Sequence, residues 1–248
     1  MVQTSSLAPI KSVIAKNYQI VEERIARACQ RVRRSRDEIS LVVVSKGHSI
    51  ERIQAAIELG LSKFGENYAE EGIEKIKALS FYTGIEWHMI GHIQSRKAEM
   101  VIQNYSMIHS LDSLKLALRL QRYAEASNKK MPVLIECNVS GEETKFGFSA
   151  SERTFWDQLL SDLAEIARLP NLEVRGLMTM APFFENSEDA RPVFRQLVEL
   201  QRFLQAQLPE VRWHELSMGM SSDFEIAIEE GATIVRIGQA ILGERPHP

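Results

Sequence analysis

Eight times along this chain a short apolar run gives way to a stretch with helical spacing, and that alternation narrows the fold more than any other feature. The first run, Leu41-Val42-Val43-Val44, is largely β-branched and does not alternate with polar residues, which suits a strand covered on both faces. The segment 50–59 then sets Ile50, Ile53 and Ile57 on one helical face, and Gly60 supplies a stop. Further strand-like runs fall at 63–65, 87–90, 107–109, 133–137, 174–178, 214–216 and 234–237. Between them, Ala190, Phe194, Leu197, Leu200 and Leu204 form one apolar stripe, and Phe155, Leu159, Leu163 and Ile166 form another. Residues 112–126 read as a helix with Asp112 at the cap. Strands separated by helices pair in parallel, because parallel neighbours need a long crossover. Eight such units close into a barrel or lie open as a doubly wound sheet. Little chain follows the eighth strand, and a helix at 18–33 before the first strand is placed to cover that gap. The expectation is an α/β protein, a single (β/α)8 TIM barrel over residues 1–248 with an extra N-terminal helix, at a length usual for one barrel.

Composition removes several classes of function. A formal net charge of -3 gives no electrostatic case for nucleic acid or an anionic membrane as a general partner. The basic run Arg31, Arg33, Arg34, Arg36 reads as a solvated helix end, where cations suit the carbonyl terminus. Cys29 and Cys137 stand far apart, which argues against a disulfide scaffold or a zinc site, and Cys137 reads as a small buried filler. Residues 1–11 lack a basic region followed by an apolar run, and no stretch approaches the roughly 18 apolar residues of a membrane span. A soluble, cytoplasmic protein is expected.

Active sites of such barrels gather at the C-terminal ends of the strands. Those ends read Ser45-Lys46, Glu66-Asn67, Gly91-His92, His109-Ser110, Asn138, Met178-Thr179-Met180, Ser217-Met218-Gly219 and Gly238-Gln239. A lysine at the end of a Val-rich strand is partly desolvated, which favours its neutral, nucleophilic form. Lys46 taken alone fits a lysine reaching past the rim into water better than it fits a nucleophile. The turn Ser217-Met218-Gly219-Met220-Ser221 leads into a helix start at 223–228, and Gly238-Gln239 opens a last helical piece beside it. Both are ordinary turn chemistry singly; as neighbours opposite an amine they suit a phosphate-bearing aldehyde. Arg236 interrupts the eighth run and needs a partner, either a ring nitrogen of a ligand or an interior carboxylate. His88 and His92 are four apart, but a strand breaking at Gly91 does not hold them on one helical face, so packing or orienting a ligand is preferred to a metal.

Several longer stretches carry a family resemblance: Val44-Ser45-Lys46, Phe64-Gly65-Glu66-Asn67-Tyr68, Trp87-His88-Met89-Ile90-Gly91-His92-Ile93-Gln94, His109-Ser110-Leu111-Asp112, Gly176-Leu177-Met178-Thr179-Met180-Ala181-Pro182, Leu216-Ser217-Met218-Gly219-Met220-Ser221 and Val235-Arg236-Ile237-Gly238. With these the chain resembles the YggS/PROSC family of pyridoxal phosphate homeostasis proteins from the first strand to Arg245. That family is similar to the barrel domain of alanine racemase, fold-type III, without its second domain. The resemblance implies that Lys46 forms a Schiff base with pyridoxal 5′-phosphate (PLP). It implies phosphate contacts from Ser217, the Met218 amide, Gly238 and Gln239, with Arg236 near the pyridine nitrogen, Asn67 facing the ligand, and Met180 and Gly219 also binding the cofactor. Lys145 matches a second family lysine implicated in cofactor exchange, although its spacing from Glu142 and Glu143 fits a solvated loop pair as well. The chain departs from many relatives in carrying Gly47-His48-Ser49 after the lysine and Gln239 in place of a threonine.

The expected function is a PLP-binding protein that holds and supplies the cofactor without catalytic turnover, as a monomer, with apo PLP-dependent enzymes as acceptors. The alternative is an amino-acid racemase or another PLP-dependent enzyme. Racemisation by two bases needs an acid/base opposite the lysine, and none of the five tyrosines has an evident claim to that place.

Overall fold

The computed structural model describes residues 7–142 and 144–245. Its barrel strands are β1 (Ser40–Val44), β2 (Lys63–Glu66), β3 (Glu86–Met89), β4 (Met107–Leu111), β5 (Met131–Asn138), β7 (Leu172–Met178), β8 (Glu215–Ser217) and β9 (Ile234–Ile237), with a two-residue β6 (Phe148–Ser149) beside the end of β5. All pairings are parallel, and β4 pairs with β5, so the order β4-β3-β2-β1-β9-β8-β7-β5 returns on itself as an eight-stranded barrel. The main crossover helices are α2 (Ile50–Ile57), α3 (Ala69–Ala78), α4 (Ala98–Asn104), α5 (Leu114–Ala126), α6 (Trp156–Ala167), α7 (Arg191–Gln207) and α8 (Phe224–Glu229). A short α9 (Gln239–Leu242) follows β9.

The eight expected runs are the eight barrel strands. The N-terminal helix α1 (Leu7–Arg31) is longer than the sequence reading, because its buried stripe of Val21, Ile25 and Ala28 continues back to Ile14. It packs against α2, α8 and α9, covering the flank that the short last helix leaves open. The basic run after it is less solvated than expected. Arg34 donates to the Ile228 and Ala232 carbonyls at 3.0 and 2.7 Å, and Arg36 pairs with Glu22 at 2.7 Å, so the run clasps α1 to the end of α8. The cap of α5 is Ser113, whose hydroxyl accepts from the Leu116 amide, while Asp112 turns its carboxylate to His92. At α6 the buried partner of Leu159 and Leu163 is Trp156, with Phe155 left in the preceding turn. Cys29 and Cys137 are both buried and unpaired. Among the described residues no helix is long and apolar enough to cross a membrane.

Two apolar clusters result. The larger fills the space between sheet and helices. The smaller, Val42, Met107, Leu134, Met178 and Ile234, with Met180 against it, plugs the barrel itself. Side chains alternate along a strand, so His109, Glu136 and Arg236, two places beyond Met107, Leu134 and Ile234 in turn, also face inward. Ser217 and His88 join them there through hydrogen bonds to His109, and all five are buried.

Candidate functional site

The turn that carries Lys46 is fixed by a buried ionic cluster. Lys75 on α3 donates from Nζ to the Ser45 carbonyl at 2.7 Å, to Glu66 Oε1 at 2.7 Å and to Glu71 Oε1 at 2.6 Å. Ser45 Oγ donates to the same Glu66 oxygen at 2.6 Å, and the Gly47 amide donates to Glu71 at 2.6 Å. Gly47 takes a φ of +71°, which a side chain rarely adopts. Lys46 itself is half-buried. Desolvation lowers its proton affinity, the nearby Arg245 and Arg236 lower it further, and Glu66 and Glu71 oppose them. Arg245 packs its stem over Gly47, within 3.1 Å of where a Cβ would stand. His48 is buried, and the same desolvation pushes its imidazole down to about 4, so it is neutral.

Beside β1 at the barrel rim, β9 runs together with β8 and then the two part. Down their seam the Thr233, Met218 and Arg236 amides donate to the Leu216, Ile234 and Gly219 carbonyls at 3.0, 3.1 and 3.0 Å. The next amide in that series, Gly238, has no acceptor among the described residues, and neither has that of Gly219. The Met218 amide is therefore spent within the seam and is not the free donor that the resemblance implies. The Ala240 amide donates to Ser221 Oγ at 3.3 Å, and Asp223 accepts from the Met220 amide at 2.6 Å, so both turns are tied in place. Gln239 is exposed at the first position of α9. A Cβ on Gly238 would meet the Val44 carbonyl at 2.9 Å, so only glycine lets the seam close on β1.

Arg236 lies inside the barrel. Its Nη1 donates to Ser217 Oγ at 2.6 Å and its Nη2 to the Thr179 carbonyl at 2.8 Å. No carboxylate is within ion-pair distance among the described residues, so the interior ion pair is not formed; Glu136 and Asp223 act on it only at longer range. Burial brings the guanidinium down to about 10, still cationic at neutral pH. Ser217 also meets His109 Nδ1 at 2.9 Å, and its hydroxyl is fully buried.

A cavity of about 370 Å³ opens at this mouth, lined by Asn67, Tyr68, His92, Glu136, Phe146 and Met180 among others. His92 stacks on Phe146 with centroids 3.8 Å apart and meets Asp112 at 2.7 Å, while His88 points into the barrel. The two histidines thus serve different places. Lys145 donates to the Met180 carbonyl at 3.0 Å and pairs with Glu142, so it ties the loop at 139–147 to the rim. Glu136 Oε2 is buried without a hydrogen-bond partner among the described residues. Desolvation, with Asp112 adding and Arg236 opposing, pushes its carboxyl up to about 7. An acid whose folded value is raised above its unfolded one contributes stability while protonated and loses it as pH rises from the unfolded value, near 4.3, through 7. Glu136→Gln should accordingly raise the denaturation midpoint at pH 8, by on the order of 3 kcal/mol of stability, and leave it little changed at pH 4. Urea melts at the two pH values check this.

The sequence-marked residues Lys46, Asn67, Met180, Ser217, Gly219, Arg236 and Gly238 all lie at or just below one barrel mouth. Sequence reasoning passed over the supports: Lys75, Glu71, Glu136 and Arg245. For the first two a signal existed, since Glu71 and Lys75 are spaced i,i+4 on a helix face. Glu136 is a carboxylate inside an apolar strand, and that break went unread.

The chain matches the family described as alanine racemase, N-terminal domain, over residues 17–246. It is 44% identical over 228 residues to the pyridoxal phosphate homeostasis protein of Aquifex aeolicus (92% of this chain, 96% of that one). To the protein of the same name from Escherichia coli strain K12 it is 40% identical over 239 residues (94% and 97%). Among solved structures it superposes on PipY of Synechococcus elongatus PCC7942 with a TM-score of 0.79, 32% identity, and coverage of 90% of this chain and 99% of that one. The same protein with PLP bound gives a TM-score of 0.77, covering 88% and 100%. Alanine racemase of Clostridium difficile 630, at 16% identity, shares the fold alone, with a TM-score of 0.71 over 95% of this chain and 58% of that one. The chain belongs to the alanine racemase N-terminal domain family, and within it to the pyridoxal phosphate homeostasis proteins.

Proposed function

We propose that this protein holds pyridoxal 5′-phosphate through Lys46 and serves in its intracellular supply rather than in amino-acid turnover. One observation carries the reading: a desolvated amine at the end of β1 stands beside the point where β9 and β8 part and leave the Gly219 and Gly238 amides without an acceptor among the described residues. An aldehyde reacts with a neutral amine, and an anion is bound by unpaired amides. The residues fit the group in both respects, and PipY, whose whole chain matches 88% of this one, has been crystallised with PLP bound. When bound, the cofactor would supply a reactive aldehyde and a ring that draws electrons when its nitrogen is protonated.

The chain's own residues do the rest. Lys75, Glu66 and Glu71 hold the turn of Lys46, and burial, with Arg245 and Arg236 adding, lowers the proton affinity of its amine. The Gly219 and Gly238 amides, with exposed Gln239 beside them and the Ser217 hydroxyl at the end of β8, receive the phosphate. Asn67 and Met180 border the ring from the mouth cavity. Arg236, cationic and without acceptor capacity, gives no proton-accepting partner to a ring nitrogen. That favours a carrier over a racemase. Borohydride reduction of the loaded protein, digestion and mass spectrometry should find the pyridoxyl group on Lys46; a reproducible adduct only elsewhere would sink the assignment.

One observation favours the enzymatic alternative. Tyr68, 65% exposed, lines the mouth cavity where a second acid/base would stand. Purified protein supplied with PLP and alanine should nevertheless show no racemisation above background; turnover lost in Tyr68→Phe and in Lys46→Ala would reverse the choice.

Lys145 acts on exchange by releasing or holding the loop over the mouth. Transfer of PLP to an apo-enzyme acceptor should change in rate in Lys145→Ala while the absorbance of the loaded protein persists. Equal transfer rates would reduce Lys145 to a loop tie.

A further inference from the structure

The polar residues inside the barrel form one hydrogen-bonded chain that runs from the site to the opposite mouth. Arg236 Nη1 meets Ser217 Oγ at 2.6 Å, Ser217 Oγ meets His109 Nδ1 at 2.9 Å, and His109 Nε2 meets His88 Nδ1 at 2.9 Å. His88 Nε2 ends the chain on Glu86 Oε2 at 3.5 Å. Ser217, His109 and His88 are buried, whereas the Glu86 side chain is half exposed. Glu86 and His88 line a cavity of about 670 Å³ at the N-terminal mouth, together with Lys63, Arg175 and Glu215.

Donor counting gives the chain a direction. An arginine only donates, so Ser217 Oγ accepts from Arg236 and retains one hydrogen. His109 is fully buried and neutral, since desolvation, with His88 and Arg236 adding, lowers its proton affinity well below the usual imidazole value. In the arrangement that needs no extra proton, the Ser217 hydroxyl donates to His109 Nδ1. His109 Nε2–H then donates to His88 Nδ1, and His88 Nε2–H points at the Glu86 carboxylate. Every junction carries one hydrogen. The Ser217 hydrogen is then committed inward and unavailable to a ligand.

We propose that His109 and His88 are positioning residues that set which way the Ser217 hydroxyl points, and that anion capture by Ser217 reverses the chain and draws a proton to His88. This rests on the reading of Ser217 as phosphate-facing. For the hydroxyl to donate to an anion, His109 Nδ1–H must donate to Ser217 instead, and His109 Nε2 must accept from His88 Nδ1–H. A neutral His88 would then turn a bare Nε2 lone pair toward the Glu86 carboxylate. Taking a proton from water removes that repulsion and makes a charge-assisted pair. The groups facing His88 are Glu86 on its own strand, Lys63 on β2, His109 on β4 and Glu215 on β8, with Arg175 of β7 near both carboxylates.

The test is calorimetry of PLP and of pyridoxal binding to the full apo-protein, at one neutral pH in buffers of different ionisation enthalpy. The slope against that enthalpy counts protons taken up. Wild type should take up a larger fraction of a proton with PLP than with pyridoxal, which lacks the phosphate. In His88→Gln that excess should vanish while the covalent link to Lys46 still forms. Glu86→Gln, at a half-exposed position that tolerates the change, should reduce the excess without altering the melt. An equal excess in wild type and His88→Gln, or none in wild type, overturns the relay even where Lys46 carries the cofactor. Failure of PLP to label Lys46 at all is a separate result, and it removes the site reading and the relay together.

Discussion

Lys75→Ala should destabilise the protein by about 3–5 kcal/mol, a large share of the roughly 5–15 kcal/mol that holds a typical domain folded. Glu66 is fully buried, and one of its oxygens has no hydrogen-bond partner among the described residues even with Lys75 in place. Removing the ammonium leaves Glu66 and half-buried Glu71 as like charges around a turn they now repel. Two consequences separate this from ordinary loss of packing. Glu66→Gln introduced together with Lys75→Met should recover most of the loss, because a buried ion pair replaced on both sides is often neutral. The single Lys75→Ala variant should also bind PLP poorly at temperatures where it remains folded, since the Ser45 carbonyl loses its anchor and Glu71, which holds the Gly47 amide, loses its counter-ion. Chemical denaturation of the three proteins decides the first point. A Lys75→Ala protein within about 1 kcal/mol of wild type would show that the cluster is not what holds the turn.

The second large effect is at Lys46. Lys46→Ala should lose the visible absorbance band of the loaded protein completely, not partially, because no non-covalent contact replaces a bond to the aldehyde carbon. Its fold should be unaffected, as the side chain is half-buried and has no hydrogen bond among the described residues that the core depends on. Residual, reversible binding of PLP is expected through the Gly219 and Gly238 amides, and free phosphate should compete with it. Absorbance spectroscopy with and without phosphate measures both. A persistent band in Lys46→Ala would move the anchor to another amine, with Lys145 the first candidate at the same mouth.

The barrel was legible in the sequence because its strands are covered on both faces. Runs such as Val42-Val43-Val44 therefore carry no alternation, and the helices between them carry one-sided stripes. Where the reading of a boundary failed, the competing signal was local. Asp112 looks like a cap until His92 claims its carboxylate, and Phe155 looks like a stripe member until Trp156 reaches the Ala150 carbonyl. The strand-end rule likewise brought Lys46, Asn67, Ser217, Arg236 and Gly238 to one mouth, since each follows or sits within its own apolar run.

What the sequence by itself determined is the fold, its parallel pairing and the set of residues at the mouth, all of which follow from periodicity along the chain. Only the tertiary structure decided which hydrogen-bonding groups at that mouth are free. The Met218 amide is consumed by Ile234, Arg236 is held by Ser217 and Thr179 and meets no carboxylate among the described residues, and Lys75 arrives from α3 to neutralise Glu66. Each of these partnerships joins residues between 9 and 57 positions apart. Whether a buried donor or acceptor is satisfied depends on what the closed barrel sets opposite it, and no local pattern encodes that.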